Sequence, residues 1–316
     1  MREPQIPNKQ TTRLAPSPTG TLHLGNAFSF VLNWAIARKL SWEIALRIED
    51  LDSSRVRSGM NQQAIDTLTW LGLDWDRGPI IQSDRIEHYQ NAMETLASRQ
   101  LIYPCDLSRA QIKHALSAPH LGDPGEPLSQ LSKPTQMPTR FSDAGRNWRL
   151  VRPKGHTRFH DACQGDQVFD HDALGADFIV WTKRHAPSYQ LAVVVDDHAS
   201  GVTQIVRGRD LIDSAARQLI LYRALELTPE PTYTHLPLVL DADGRRLAKR
   251  DQDIHIERYS RSGGPERIIG LIAFWCGLTP DRQAMSLCEF QSALDPHTLV
   301  IEDIRFTQED ARWLDS

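Results

Sequence analysis

Residues 13–26 read RLAPSPTGTLHLGN, which places prolines at 16 and 18, glycines at 20 and 25 and a histidine at 23 just ahead of an apolar run. A strand that ends in a tight turn and feeds a helix offers that helix's free N–H groups to an anion. Pro16 and Pro18 stiffen the approach, while Gly20 and Gly25 let a ligand come close to the backbone. His23 sits in the turn, where it could donate a hydrogen bond to a nucleotide phosphate; taken alone, a turn histidine is more often a structural or solvated side chain. Gly20 and Gly25 have the spacing of G-x-x-x-x-G, but Asn26 and Ala27 stand where a P-loop carries Lys and then Ser or Thr, so this is not a P-loop. Late in the chain, GRRLAKRDQ at 244–252 forms a basic loop around Arg246 and Lys249. Such a loop can neutralise charge building on a departing phosphate group, although the same string alone is most often a solvated turn.

The elements that must hold these residues follow from hydrophobic spacing. Residues 11–15 read as a short strand. NAFSFVLNWAIARKL, from 26 to 40, places Phe28, Val31, Leu32, Ala35 and Ile36 at helical intervals, and WEIALRIED alternates Ile44, Leu46 and Ile48 as a strand does. Strand, helix, strand in so short a span is a βαβ unit and implies a parallel sheet. Residues 58–71 and 83–100 read as helices. The stretch 103–185, rich in Pro, Gly and Ser and then in short strand-like pieces, reads as an inserted α+β subdomain of loops and antiparallel strands. SYQLAVVVDDHASGVTQIVRG suggests strands at 189–195 and 202–206 around a turn. Asp196, Asp197 and His198 are then turn residues rather than a metal site. A helix is expected over 210–226, a short strand within 232–240, and mostly helix from about 251. The fold class is α/β, a Rossmann-type parallel sheet. Its first half spans 1–102, the insertion 103–185, its second half 186–240, and a basic loop with a small helical C-terminal part 241–316.

Composition narrows the function classes. The chain has 316 residues, 40% hydrophobic and 24% charged, as a soluble globular protein does. No apolar run approaches the roughly 18 residues of a membrane span, and MREPQIPNKQTT lacks the apolar core of an export signal. Cys105, Cys163, Cys276 and Cys288 are far apart with no C-x-x-C pair, which suits a reducing cytoplasm rather than a disulfide scaffold. A net charge of −4 argues against general adhesion to nucleic acid. Yet residues 129–160 carry Lys133, Arg140, Arg146, Arg149, Arg152, Lys154 and Arg158 against Asp143 alone. That stretch is either a localised RNA-binding face or a solvated, loop-rich surface.

The opening segment resembles the HIGH-type first signature of class I aminoacyl-tRNA synthetases. It is closest to the glutamyl form, which opens with an arginine and APSPTG; Asn26 stands where many relatives have a second histidine. The loop at 244–252 resembles the KMSKS signature: Lys249 takes the fourth, phosphate-binding position, Arg246 the first, and Ala248 lacks the hydroxyl of the common form. The resemblance implies that ATP phosphates and an amino acid meet at the helix start. It gives His23 and Lys249 catalytic roles and assigns ATP to Pro16, Thr19, Gly20, His23, Gly25, Asn26, Arg246 and Lys249. A free glutamate carries two carboxylates and an ammonium, so its pocket needs guanidinium forks and a carboxylate. Here the resemblance implies Arg13 and Arg207 at carboxylate-reading positions, Tyr189, Ala15 and Ser17 beside them, and Glu49 facing the ammonium.

The chain ends soon after the KMSKS-like loop, as in a short branch of this family, the glutamyl-Q tRNA(Asp) synthetases. These activate L-glutamate with ATP and transfer it to queuosine in the anticodon of tRNA(Asp). That reading implies ATP with Mg²⁺, a tRNA(Asp) partner bearing queuosine, and no membrane. Three alternatives are a truncated glutamyl-tRNA synthetase that charges a tRNA 3′ end, a HIGH-motif ligase acting on a small molecule or protein amine, and a non-catalytic RNA-binding remnant. Many members of the branch hold zinc with C-x-C, a tyrosine and a third cysteine. Here Cys105 is followed by Leu107 in the second position, and the next cysteine is Cys163. A closed site needs four ligands, and His114 and His120 are poor substitutes, so zinc is not expected.

Overall fold

Parallel strands on either side of one seam build the main sheet. The computed structural model describes residues 9–52, 56–106, 133–245, 247, 255–260 and 263–316. β1 (Thr11–Leu14), α1 (Leu24–Lys39) and β2 (Glu43–Ile48) form the expected βαβ unit, with Arg13 opposite Ala45 in parallel register. After α2 (Met60–Trp70), β3 (Arg77–Ile81) adds to β2, again in parallel. α1 is buried around much of its circumference, and Arg38 and Lys39 in its last turn suit the negative end of the helix dipole. The buried Asn33 of α1 accepts from the Thr12 hydroxyl at 3.0 Å and donates to the Arg13 carbonyl at 2.9 Å, which locks the helix to β1.

α3 (Ile86–Ser98) precedes an antiparallel sheet in the order β4 (Ile102–Cys105), β5 (Asn147–Leu150), β8 (Phe178–Thr182), β9 (Ala186–Pro187). The strands between them, β6 (His156–Asp161) and β7 (Gly165–Asp170), form a hairpin that leaves this sheet and joins the main one. α4 (Tyr189–Ala199), β10 (Gln204–Gly208), α5 (Ile212–Ala224) and β11 (Thr232–Leu236) follow. β10 and β11 are parallel with Arg207 opposite His235, and β11 meets β6 with Tyr233 opposite Asp161. The two groups of strands join where the Thr203 N–H donates to the Thr11 carbonyl at 2.9 Å and the Thr11 N–H to the Thr203 hydroxyl at 3.1 Å. From this seam the chain runs outward from β1 to β2 and β3 on one side and from β10 to β11 on the other, and a crevice at the carboxyl ends of such strands is the usual ligand site.

The segment 189–199 corrects the sequence-based expectation of a strand there. It is helix α4, started by Ser188, whose hydroxyl accepts from the Leu191 N–H at 3.4 Å. Leu191, Ala192, Val193, Val194, Asp196 and Asp197 are all buried, so no polar stripe marks a helical period, and the β-branched Val193, Val194 and Val195 imitate a strand. Asp196 and Asp197 are accordingly interior helix residues, not turn residues. Asp196 accepts from Gln82, Arg85 and the Tyr89 hydroxyl, each at 2.8 Å.

The C-terminal part comprises β12 (Val239–Leu240), α6 (Ile256–Ser260), α7 (Glu266–Trp275), α8 (Leu287–Ala293), β13 (Ile304–Arg305) and α9 (Gln308–Asp315), with β12 and β13 paired in parallel. Its apolar residues, including Leu271, Ile272 and Phe290, share one core with Phe28, Leu32 and Leu46, while α3, α4 and α5 enclose a second core around Tyr89, Trp148 and Trp181. Gly270 of α7 lies flat against the chain at Gln283: an added Cβ would sit 1.8 Å from that carbonyl oxygen. Gly270→Ala is therefore expected to cost about 1–3 kcal/mol of stability, read as a lower urea midpoint with an unchanged slope.

Candidate active site

A cleft of about 420 Å³ opens at the seam. Its walls come from the carboxyl ends of β1, β2, β10 and β11 and the turns that follow them. Arg13, Ala15, Pro16, Ser17, Thr19, Gly20, His23, Gly25 and Asn26 line it from the first turn, Glu49 from the end of β2, Tyr189 from the start of α4, and Arg207 from β10. All the expected site residues within the described parts thus share one cleft. Gly208, Asp210, Leu211 and residues 237–239 complete the wall.

His23 is the N-cap of α1, in extended conformation, and its carbonyl accepts from Asn26 at 2.8 Å and Ala27 at 3.1 Å. The Asn26 side-chain oxygen accepts from the His23 N–H at 3.1 Å, so part of the Asn26 amide is committed to capping. No acidic side chain occupies the first turn of α1. Gly25 has no room for a side chain without displacement: a Cβ would lie 3.2 Å from the His23 ring and 3.8 Å from Val239.

Behind this turn lies a buried charge cluster. The Glu49 carboxylate accepts from Arg47 at 3.1 Å and from the Ser17 hydroxyl at 3.3 Å. The other arm of Arg47 meets Asp197, which also pairs with Arg13 Nε at 3.4 Å. Arg13 Nη1 donates to the Val206 carbonyl at 3.3 Å, across the seam. Burial lowers the Arg13 pKa below the ordinary range, with Asp197 opposing. Burial acts the same way on Arg47, but Asp197 and Glu49 outweigh it and hold that guanidinium firmly charged. Arg207 is clamped through Nε to His235 at 3.1 Å and through Nη2 to the Leu211 carbonyl at 3.2 Å, and it lies 5.4 Å over the Tyr233 ring. Its Nη1 is buried with no acceptor among the described residues.

The family model for class I tRNA synthetases (E and Q), catalytic domain, matches residues 9–309. The chain belongs to that family. It is a ligase of the tRNA synthetase kind. A Glutamyl-Q tRNA(Asp) synthetase of Nitratidesulfovibrio vulgaris is 41% identical over 85% of this chain and 87% of its own length; one from Symbiobacterium thermophilum is 39% identical over 94% and 96%. A Glutamate–tRNA ligase of Synechococcus sp. WH7803 is 38% identical, and the match spans 55% of that protein. A crystal structure of a glutamate tRNA ligase from Elizabethkingia meningosepticum superposes with a TM-score of 0.79 at 23% identity, covering 97% of this chain and 69% of that one, which shows the shared fold.

Two of the synthetase residues expected from the sequence, Arg246 and Lys249, lie outside the described residues, as does most of the 244–252 loop. The described residues in and just after the loop are tied to residues of the cleft or its neighbours. Leu247 is buried in the main core, with its N–H donating to the Val239 carbonyl at 3.4 Å. On the far side, His255 bridges to His23, and the Ile256 N–H donates to the Leu22 carbonyl at 3.0 Å.

Sequence reasoning placed Asp197 in a turn and passed over Arg47. The available signal for Arg47 was a charged residue inside the apolar strand LRI. The basic stretch 129–160 is largely internally paired. Lys133 meets Asp177, Arg146 meets Asp106, Arg152 meets Asp172, and the buried Arg149 donates to the Asp177 carbonyl. Arg140, Lys154 and Arg158 remain exposed. Among the described residues, no group of three His, Cys, Asp or Glu is arranged to hold a metal. Cys105 ends β4, and residues 107–132, with Leu107, His114 and His120, lie outside the described parts. Among the described residues no helix is long and apolar enough to cross a membrane.

Proposed function

We propose that this chain activates L-glutamate with ATP, supplied with Mg²⁺, to glutamyl-adenylate, and transfers the glutamyl group to queuosine in the anticodon of tRNA(Asp). The observation that carries the reading is the convergence in one cleft of two guanidinium groups, Arg13 and Arg207, a carboxylate, Glu49, and the N-terminus of α1, whose first turn holds no acidic side chain. Arg207 takes the side-chain carboxylate of glutamate, Glu49 takes the ammonium, and the backbone around Gly25 and the α1 start takes the ATP phosphates.

In the first step an α-carboxylate oxygen of glutamate attacks the α-phosphorus of ATP. The bond to the bridging oxygen breaks, and pyrophosphate leaves with that oxygen and its charge. Catalysis here is positioning and charge stabilisation: His23 at the helix cap steadies the phosphates, and Lys249 and Arg246, close in sequence to Leu247 and His255, which are tied to Val239 and His23, compensate the pyrophosphate. In the second step a hydroxyl oxygen of the modified nucleotide attacks the activated carbonyl, its proton is lost, and AMP departs. The relatives named Glutamyl-Q tRNA(Asp) synthetase, 41% and 39% identical over 85% and 94% of the chain, support queuosine as the acceptor.

Glutamate-dependent ATP–pyrophosphate exchange is expected without any RNA. Labelled glutamate should then appear only on tRNA that contains queuosine, in the anticodon fragment after nuclease digestion. Label at the 3′ end, or exchange that needs RNA, would refute the proposal.

A further inference from the structure

We propose that Asp161 and His235 form a buried positioning pair that aims Arg207 and so sets the preference for glutamate over glutamine; the inference rests on the function proposed above. His235 lies on β11 directly opposite Arg207 of β10, and Asp161 ends β6 on the other side. Both His235 and Asp161 are fully buried. His235 Nδ1 is 2.6 Å from Asp161 Oδ2, and its Nε2 is 3.1 Å from Arg207 Nε. An arginine Nε always carries its hydrogen and can only donate. His235 Nε2 is therefore the bare acceptor, the ring proton sits on Nδ1, and Asp161 receives it. In the opposite tautomer, or in imidazolium, two N–H groups would point at each other and the guanidinium would turn away.

The pair is held from several sides. Asp161 also accepts from the backbone N–H of Cys163 at 3.0 Å, Gln164 at 2.9 Å and His235 at 3.1 Å. The Gln164 amide donates to the His235 carbonyl at 2.9 Å, and the His235 ring stacks on Tyr233 with centroids 5.6 Å apart. Burial keeps His235 below the ordinary imidazole pKa, aided by Arg207 of β10 and Arg13 of β1 and opposed by Asp161 of β6. With Nε given to His235 and Nη2 to Leu211, the guanidinium plane is set, and Nη1, buried and without a partner among the described residues, is left for an acceptor of a ligand in the cleft that Arg207 lines. A charged carboxylate meets it with a charge-assisted bond, and a neutral amide oxygen meets it only weakly.

Asp161→Asn keeps the shape and the oxygen that receives backbone N–H groups, but offers an amide N–H to His235 Nδ1 and drives the ring proton to Nε2. Exchange assays of this variant should show a glutamate KM raised at least about tenfold, the ATP KM and kcat nearly unchanged, and the glutamate-to-glutamine ratio of kcat/KM reduced about tenfold, the size of one weakened charge-assisted bond. His235→Leu should behave likewise, while His235→Gln, which keeps an acceptor, should retain most of the preference. In the wild type, ¹⁵N-histidine spectra, assigned by the loss of one signal in His235→Gln, should show the ring protonated at Nδ1 and bare at Nε2. A wild type that exchanges normally beside variants with unchanged glutamate KM and discrimination would overturn the inference alone. So would equal losses for ATP and glutamate, or the opposite tautomer. A wild type with no glutamate-dependent exchange would overturn the proposed function and the inference with it.

Discussion

Asp197→Asn is expected to destabilise the fold by about 3–5 kcal/mol, the usual penalty for leaving buried charge without its partner. Asp197 pairs with both Arg13 and Arg47, whose side chains are almost completely buried. Without it, Arg47 keeps its hydrogen bond to Glu49 and the more distant charge of Asp196, and Arg13 keeps its hydrogen bond to the Val206 carbonyl. Two desolvated guanidinium groups would then share a site with one directly paired carboxylate, Glu49. A urea titration followed by far-UV circular dichroism checks this, and a loss below about 1 kcal/mol would mean that the cluster relaxes into solvent. The double variant Asp197→Asn with Arg47→Met should recover part of the loss, because it removes the charge that Asp197 compensated; the coupling in that cycle measures the pair directly.

The same residues show what could be read from the sequence and what could not. The first turn was legible because its chemistry is local: prolines, glycines, His23 and the apolar helix behind them occupy one continuous stretch. The residues that face it across the cleft, Glu49, Tyr189 and Arg207, carried no such signal of their own, and only the resemblance to a family singled them out. Asp196 and Asp197 were misplaced because their partners are distant in sequence: Arg13 on β1, Arg47 on β2, Arg85 and Tyr89 around α3. A helix buried on most sides loses the polar stripe that reveals its period, and consecutive valines then suggest a strand. At 129–160 composition counted charges without their partners: the fold matches Lys133, Arg146 and Arg152 with Asp177, Asp106 and Asp172, and leaves Arg140, Lys154 and Arg158 exposed.

Arg207→Leu should abolish useful recognition of glutamate, lowering kcat/KM for it by about 10²–10⁴, the equivalent of one or two charge-assisted hydrogen bonds at roughly 1.5–3 kcal/mol each. The expected loss falls on the substrate, not on the fold, because leucine leaves no buried charge behind. His235 and Leu211 would each lose a donor, a cost that should show in thermal stability as a smaller, separate effect. Arg207→Lys is the sharper test. Lysine keeps the charge but cannot reach His235, the Leu211 carbonyl and a ligand with one planar fork. If charge alone selects glutamate, the lysine variant will keep its preference over glutamine while its KM rises. If the fixed plane of the guanidinium selects it, with His235 and Asp161 behind, the lysine variant will lose both together. The arrangement favours the second outcome, since Nε and Nη2 are spent on His235 and the Leu211 carbonyl for orientation before any ligand arrives, and Nη1 alone is left without a partner among the described residues.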